Sequence, residues 1–374
     1  MKLLKFKFPV CLILAFLESF DPGIQAIQKP DGPDQSVKIG LLISDSRSLA
    51  AKQGAEMAIQ KANENGGFKG KPFRLIVRTM EGPWGSGSKE AVNMIFDEKV
   101  VALLGSHNGR NAHLAEQVAA KTRKIFLSAW SGDPTLSQAF VPWYFSCVPN
   151  DNQQADALME EIYYKRKITR ITVISDNSYD SKLALESFVK KTKRAGNEAP
   201  KQIFYDNINQ NFNGIIDQIN KAEIEGIILF GQPFGSLRLI QQLQQRKINL
   251  LIFGSFALLN EDEISEQDLN YFKNIILIYS DKSAVLKYPA FSEEFTNTYG
   301  RKPGPVAAYS FDGMNLLIDA IKNSGTDREK IQNYLSGIHY AGVTGSIQFD
   351  EKGNRMDTPD LKEIKNGMPG AVDK

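Results

Sequence analysis

From Val37 onward, the hydrophobic residues of the chain alternate between two periodicities. Apolar runs of strand length recur with few polar interruptions, as VKIGLLI, FRLIV, VVALL, KIFLSA, ITVIS, GIILF, LLIF and IILIY. Nearly continuous runs of this kind are typical of strands that are covered on both faces, as in parallel sheets. The pattern therefore predicts a mostly parallel sheet rather than an exposed antiparallel one.

Between these runs, hydrophobic residues recur at helical spacing. The clearest stripes are Ala51, Ala55, Ala58 and Ala62; Ala155, Leu158, Met159 and Ile162; and Phe212, Ile215, Ile216 and Ile219. Each stripe gives a helix one apolar face that can pack on a sheet. The alternation of strand and helix predicts an α/β fold with open, doubly wound sheets.

The length of the chain and a break in its composition predict two lobes. At 374 residues the chain exceeds the roughly 150 residues of one ordinary domain. The polar stretch SCVPNDNQQ interrupts the alternation after a full set of strand–helix units, and a second set then begins. No sequence repeat of 20 to 50 residues is apparent, so we expect two doubly wound, Rossmann-like lobes that share shape rather than sequence.

The first residues read as a secretory signal. Lys2, Lys5 and Lys7 precede the apolar run FPVCLILAFL, which is far shorter than the ~20 residues that span a bilayer. We expect residues 1–26 to be removed after Ala26. An alternative interpretation makes Cys11 a lipid-anchored residue, although the preceding FPV lacks the small residue expected there. No later segment is apolar enough to span a membrane, so the mature chain is expected to be soluble and monomeric.

Composition narrows the possible functions. The formal net charge is only +2, and Lys and Arg are interleaved with acids rather than clustered, which argues against nucleic-acid binding. Of the two cysteines, Cys11 falls in the signal run and Cys147 is left alone. An exported chain without an internal disulfide must rely on its hydrophobic core, which this length allows.

In open α/β sheets, ligands bind outside the carboxyl ends of the strands, so the loops that follow the strands are where a site is expected. These loops read SDSRS, EGPWGSGS, SHNGR and WSGD in the first half, and DNSYDS, GQPFGS and GSFALLN in the second. They are rich in Gly, Ser, Asn and aromatic residues and poor in paired carboxylates. This inventory favours binding over catalysis.

Common catalytic and cofactor motifs are missing from the chain. NGGFKGKP lacks the phosphate-loop spacing, because Asn65 stands at the glycine position and Pro72 replaces Ser or Thr. His107, His113 and His339 are too few and too scattered for an evident metal site. No G-x-S-x-G turn is present. We therefore expect no enzyme activity, no cofactor and no metal.

Five segments, in order, resemble the type I periplasmic solute-binding proteins, in the branched-chain amino acid (Leu/Ile/Val) binding branch of the ABC transporter receptors. They are GAEMAIQKANENGGFKGKPFRLIV, VVALLGSHNGRNAHLAEQVAAKTRKIFLSAWS, ITVISDNSYDSKLALESF, PVAAYSFDGMNLLIDAI and YAGVTGSIQFDEKGN. Each segment alone resembles the family only loosely, but the five segments in this order are specific to it. Together they span nearly all of residues 37–366.

The resemblance implies two lobes joined by three crossings, near residues 147–151, 278–282 and 341–346. Lobe 1 would contain residues 37–147 and 281–340, and lobe 2 residues 148–280 and 341–374. It also implies a periplasmic receptor that closes on a small molecule and delivers it to an ABC-type membrane permease. Two alternatives remain open: a sensor that reports its ligand to a membrane receptor, and an extracellular enzyme.

The resemblance also implies binding residues. Amino acid receptors hold the ligand carboxylate with a hydroxyl and main-chain groups in the loop aligned with SHNGR, and with a residue pair in the loop aligned with WSG. The hydroxyl position falls on Gly109, and the pair falls on Trp130 and Gly132, with Ser131 between them. Main-chain N–H groups at helix starts are therefore expected to hold an anion. The aromatic residue that faces the ligand is retained as Tyr179.

One position departs from the family pattern. The acid that would neutralise a ligand ammonium falls on Phe256, and an ammonium buried without an anionic partner loses several kcal/mol of hydration. We therefore expect an amino acid or, more in keeping with Phe256, an apolar or aromatic carboxylate, its anionic end near Arg47 or Gly109. The expected aromatic walls are Trp84, Trp130, Tyr179 and Phe256. Asn108 and Gln232 are further candidates because they follow strand ends.

Overall fold

The computed structural model describes residues 35–83, 85–139, 141–206, 211–273, 275–279, 288–365, 368–370 and 372. The expected signal peptide, residues 1–26, lies outside the described residues. Within the described part of the chain, no helix combines the length and the apolar character needed to cross a lipid bilayer.

The described chain alternates strands and helices along most of its length. The strands are β1 Val37–Ile43, β2 Phe73–Thr79, β3 Ala102–Ser106, β4 Ile125–Ser128, β5 Tyr144–Ser146, β6 Ile171–Asp176, β7 Lys201–Tyr205, β8 Gly226–Phe230, β9 Leu251–Gly254, β10 Ile275–Tyr279, β11 Tyr340–Gly342, β12 Gly345–Ile347, β13 Asp360–Lys365 and β14 Met368–Gly370. The helices are α1 Leu49–Glu64, α2 Ser86–Phe96, α3 Gly109–Thr122, α4 Asp151–Met159, α5 Tyr179–Arg194, α6 Asn213–Lys221, α7 Pro233–Gln245, α8 Tyr288–Tyr299, α9 Pro305–Ser324 and α10 Arg328–Ser336. All of the predicted apolar runs are strands.

The strands form two large sheets with the same internal order. The first sheet is wholly parallel and runs β2-β1-β3-β4-β5. The second runs β7-β6-β8-β9-β10 in parallel and is extended by the antiparallel pair β13 and β14. In each sheet the order of the strands therefore reverses once. The reversal falls between β1 and β3 in the first sheet and between β6 and β8 in the second. This is the doubly wound topology predicted from the alternation of strand and helix.

Buried helix faces cover the sheets as the predicted stripes require. Ala51, Ala55 and Ala58 of α1 are fully buried, and α1 packs closely on α9. A Cβ at Gly54 would lie 2.2 Å from the carbonyl oxygen of Ala307, so only glycine allows this approach. The pairing of α1 with α9 places the late helix α9 beside the first sheet's helices.

A buried arginine connects two of the predicted crossings. Arg355 is 3% exposed, and its guanidinium donates hydrogen bonds to the carbonyl oxygens of Cys147, Thr344 and Ser346, each at 2.8 Å. Asp357 neutralises its charge at 3.1 Å. Cys147 lies in the first predicted crossing, and Thr344 and Ser346 lie in the third. Of the second crossing, residues 280–282 lie outside the described residues, and the lobe boundaries themselves stay a prediction.

The segment FDEKGNR forms a hairpin turn that carries Arg355. Phe349 and Arg355 form an antiparallel bridge. The carboxylate of Asp350 accepts the N–H groups of Lys352 and Asn354, each at 2.8 Å. The turn thereby delivers the Arg355 side chain to the crossings.

Replacing Arg355 by Met should lower the free energy of unfolding by about 3–5 kcal/mol, because the carbonyl groups and Asp357 lose their buried partner. Arg355→Lys keeps the charge but not the fork of donors, so it should be intermediate. Denaturant unfolding followed by circular dichroism measures both. Arg194→Met, at an exposed position of α5, is the matched control. Equal midpoints for Arg355→Met and the control would contradict the assigned role.

Candidate ligand-binding site

A cavity of about 350 Å³ lies at the carboxyl ends of strands from both sheets. It is lined from the first sheet's side by Ser44, Asn108, Trp130 and Gly132, at the start of α4 by Asp151 and Gln154, and from the second sheet's side by Ser178, Tyr179, Asp180, Ser181, Ala184, Phe230, Gly231, Gln232, Pro233, Ser255, Phe256, Ala257, Asn260 and Glu263. The loops after β1, β3, β6 and β8, which flank the two switch points, all contribute. This is where an open α/β sheet is expected to bind a ligand.

Six of the residues predicted from sequence line this cavity together: Asn108, Trp130, Gly132, Tyr179, Gln232 and Phe256. Trp130 follows β4 and Phe256 follows β9, and their rings meet edge to face with centroids 5.0 Å apart. Tyr309 of α9 packs behind Phe256 at 5.7 Å. The two sheets therefore share one continuous aromatic wall.

Tyr179 is held by contacts with the first sheet's loops. Its hydroxyl donates a hydrogen bond to Oδ2 of Asp133 at 3.1 Å, and the guanidinium of Arg110 lies 5.8 Å from its ring centroid. Burial and the nearby Asp133 carboxylate raise the pKa of Tyr179 to about 12. At neutral pH the side chain therefore presents a neutral phenol to the cavity.

Asn108 and Gln232 each hold a helix start in place. The side chain of Asn108 accepts the N–H of Asn111 at 2.9 Å and caps α3. The Gln232 main-chain N–H donates to Asp176 at 2.5 Å, and its side-chain amide donates to the hydroxyl of Ser178 at 3.3 Å. These loops are therefore fixed by the chain itself before any ligand binds.

Gly109 lies behind the wall rather than in it. Its N–H, at the start of α3, already donates to Oδ1 of Asp180 at 2.9 Å. A Cβ at position 109 would lie 2.9 Å from Asp133 and 3.0 Å from Asp180, which accounts for the missing hydroxyl residue. The N–H expected to hold a ligand anion is therefore occupied by a carboxylate of the chain.

The remaining predicted residues are placed elsewhere. Ser131 is buried, and its hydroxyl accepts the N–H of Asp133 at 3.2 Å, so it stabilises its own loop. Arg47 has a side chain that is 86% exposed and pairs with Asp45 at 2.7 Å. Neither is among the residues that line the cavity. Trp84 lies outside the described residues.

Carboxyl groups are the part of the site that sequence reasoning missed. Asp151, Asp180 and Glu263 line the cavity, although the strand-end loops were expected to be poor in paired acids. Burial, reinforced by Asp180 and Asp133, raises the pKa of Asp151 well above its ordinary value. Burial likewise raises the pKa of Asp180 to about 6, against the N–H of Gly109. Although Phe256 stands at the position expected for an acid, carboxyl groups from other positions therefore reach the cavity.

Two signals in the sequence pointed toward these acids. Asp180 directly follows Tyr179 in DNSYDS, and Asp151 lies in the first predicted crossing. Their convergence depends on α4 and α5 beginning at the same end of the molecule, which no local pattern encodes. Gln154, one turn after Asp151, donates from Nε2 to Asp151 at 3.3 Å and to the carbonyl of Pro149 at 3.1 Å.

The acidic loop after β9 ties the second sheet to helices α1 and α9. Glu261 accepts the N–H groups of Gly304, Val306 and Ala307 at 2.8–3.0 Å, at the start of α9. Asp262 accepts the N–H of Ala50 at 3.0 Å, in the first turn of α1. Negative charge at a helix N-terminus is favourable. The next residue, Glu263, is thereby fixed at the exposed rim of the cavity.

Among the residues that the structure describes, no group of three or more His, Cys, Asp or Glu side chains has an arrangement that could hold a metal ion. Cys147 is buried, and burial raises the pKa of its thiol to about 12, so it is not a reactive nucleophile at neutral pH. What the cavity offers is aromatic surface, hydrogen-bonding groups and carboxylates around an enclosed space. Such a site suits recognition of a small molecule.

Comparison with known proteins agrees with this architecture. The model of a family described as periplasmic binding protein matches residues 36–359. Leu/Ile/Val-binding protein homolog 1 of Brucella suis biovar 1 (strain 1330) is 24% identical over 340 residues, which are 86% of this chain and 87% of that protein.

Two solved structures illustrate the fold. The branched-chain amino acid transporter substrate binding protein LivJ from Streptococcus pneumoniae, in complex with isoleucine, has a TM-score of 0.78 at 19% identity and covers 90% of this chain and 98% of its own. A solute binding protein of an ABC transporter from R. palustris, in complex with benzoate, has a TM-score of 0.78 at 17% identity and covers 90% and 95%.

Two α/β lobes with a cavity at their facing strand ends define a solute-binding receptor of the type I fold. The chain belongs to the periplasmic binding protein family, and its relatives lie in the branched-chain amino acid branch of the ABC transporter receptors. The resemblance read from the sequence is thereby confirmed, as is the fold class.

His113 of α3 should make stability depend on pH. Its ring lies 3.0 Å from Asp133 and 3.4 Å from Glu116, and these carboxylates raise the pKa of His113 from 6.5 to about 9. The stabilisation is complete below about pH 6.5 and is lost as the pH rises through 9. We expect the wild type to lose on the order of 1 kcal/mol across this window relative to His113→Gln.

Urea unfolding at a series of pH values measures this difference. His339→Gln is the control, because His339 is exposed. If the wild type and His113→Gln show parallel curves between pH 6.5 and 9, the His113–Asp133 pair does not stabilise the fold.

Proposed function

We propose that this protein is an exported receptor that captures a small molecule in the cavity and delivers it to an ABC-type membrane permease. The observation that carries the proposal is a single cavity whose lining comes from the strand ends of both sheets. A ligand there contacts both halves at once, so binding favours the closed arrangement. We assign the export to residues 1–26 and the final location to the periplasm.

The contacts in the wall indicate how the ligand is held. Trp130 and Phe256 offer ring surface from opposite sheets, and Phe230 adds a third ring. Asn108, Tyr179 and Gln232 are fixed by hydrogen bonds within the chain, so they are preorganised for a ligand. We infer an apolar or aromatic ligand body against the rings. The sequence predicts an apolar or aromatic carboxylate, and this inference retains the apolar or aromatic body. The charge of the ligand is inferred separately below.

Capture is tested by native mass spectrometry of the protein purified without denaturation, followed by thermal unfolding with each compound that is found. We expect a bound small molecule, and we expect it to raise the unfolding temperature. Trp130→Ala should weaken its binding at least tenfold, about 1.4 kcal/mol or more, because one face of the aromatic wall is lost.

Phe96→Ala is the control, since Phe96 is an exposed aromatic residue on α2, away from the residues that line the cavity. A folded protein that retains no small molecule, and that no candidate solute stabilises, would rule out capture.

Delivery needs its own test. An ABC-type permease and its ATPase from the same organism are reconstituted in proteoliposomes, and ATP hydrolysis is followed with and without the ligand-loaded receptor. We expect the loaded receptor to stimulate hydrolysis several-fold and Trp130→Ala to do so only at higher ligand concentration. A receptor that binds its ligand but leaves hydrolysis unchanged would overturn the transport assignment and favour sensing.

A further inference from the structure

We propose that the ligand is an organic amine: a protonated amino group on an apolar or aromatic body, without a carboxylate. This inference rests on the proposed function and adds the charge of the ligand to it. The residues that carry it are Asp151, Asp180 and Gln154.

The charge balance of the wall favours a cation. Asp151, Asp180 and Glu263 line the cavity, and the described lining includes no Lys, Arg or His. Nearby positive groups have other partners: Arg47 pairs with Asp45, His113 pairs with Asp133, and the guanidinium of Arg110 lies 5.8 Å from the ring centroid of Tyr179. An anionic ligand end would therefore face carboxyl groups, with no cation in the described lining to compensate its charge.

The hydrogen-bonding capacity of the wall also favours a donor. Gln154 is 3% exposed and lines the cavity, and its Oε1 has no hydrogen-bond partner within the described part of the chain. On the same side, Oδ1 of Asp151 accepts a hydrogen bond from Nε2 of Gln154 at 3.3 Å. A buried acceptor left without a donor costs free energy. An ammonium, with three N–H donors, satisfies Gln154 and Asp151 together.

The place where a carboxylate could have been held is filled. Oδ1 of Asp180 accepts the N–H of Gly109 at the start of α3, so a ligand carboxylate would have to displace a carboxylate of the chain. Gly132 packs against Asp151, since a Cβ at position 132 would lie 2.6 Å from Oδ1 of Asp151. The site thus resembles an amino acid site in which the carboxylate of Asp180 takes the place of the ligand carboxylate.

The raised pKa values agree with this assignment. Burial raises the pKa of Asp151, with added repulsion from Asp180 and Asp133. Burial also raises the pKa of Asp180 to about 6, with added repulsion from Asp133 and Asp176. A cation placed against these carboxyl groups offsets that repulsion and favours their ionised forms. The aromatic rings of Trp130 and Phe256 then accommodate the uncharged body of the ligand, and they add attraction for a cation over their faces.

Two matched triples of compounds test the inference by isothermal titration calorimetry on the wild-type protein dialysed free of bound solute. One triple is 2-phenylethylamine, 3-phenylpropionate and phenylalanine. The other is 3-methylbutylamine, 4-methylpentanoate and leucine. Within each triple the apolar body is kept, and the compounds differ in whether they carry the amino group, the carboxylate or both. We expect at least one amine to bind at least tenfold more tightly than the amino acid of its triple, and neither acid to bind measurably.

Variants locate the cation. Asp151→Asn and Asp180→Asn should each weaken amine binding at least tenfold, whereas Glu186→Gln, at an exposed position of α5, should leave it unchanged. Thermal unfolding confirms that each variant is folded. If a variant does not fold, the wild-type triples decide alone.

Preferred binding of an acid or an amino acid, or no binding by either amine, would overturn the amine assignment. The assignment as a receptor is tested separately, by the search for a co-purified small molecule with native mass spectrometry.

Discussion

The hydrogen bonds of Arg355 are the interaction on which the arrangement of the two sheets depends. A guanidinium without water is expensive to bury, and here three main-chain carbonyls and Asp357 offset that cost. Its ring neighbour Tyr309, at 6.0 Å, packs on Phe256, which meets Trp130 in the cavity. Continuous packing therefore runs from Arg355 through Tyr309 and Phe256 to the aromatic wall of the cavity.

Three consecutive acids after β9 complete the arrangement. Glu261 holds the start of α9, Asp262 holds the start of α1, and Glu263 reaches the cavity rim. In the sequence this run reads as an ordinary charged loop. Its importance comes from the helix N-termini that the fold brings to it, because main-chain N–H groups there lack partners within the helix. These hydrogen bonds join the loop after β9 of the second sheet to the starts of α1 and α9.

The sequence was sufficient for the strands of the parallel core and for the end of the sheets where the cavity lies, since both follow from short-range periodicity and from the geometry of parallel strands. Strand β7 was not predicted because it lies at the sheet edge, and its mixture of exposed and buried residues gives no continuous apolar run. Strand β5 was not predicted because it is only three residues long. The acids that line the cavity were not predicted for another reason. Whether Asp180 faces a ligand or the N–H of Gly109 is decided by the approach of α5 to α3, which no local pattern records.

The shared strand order of the two sheets has a consequence for how such a receptor can change over time. Each half presents its own switch point and therefore an incomplete portion of the pocket. A substitution in a strand-end loop of one sheet changes only part of the cavity lining, while the loops of the other sheet keep theirs. The two parts of the lining can therefore diverge independently in evolution, without a change in the order of either sheet.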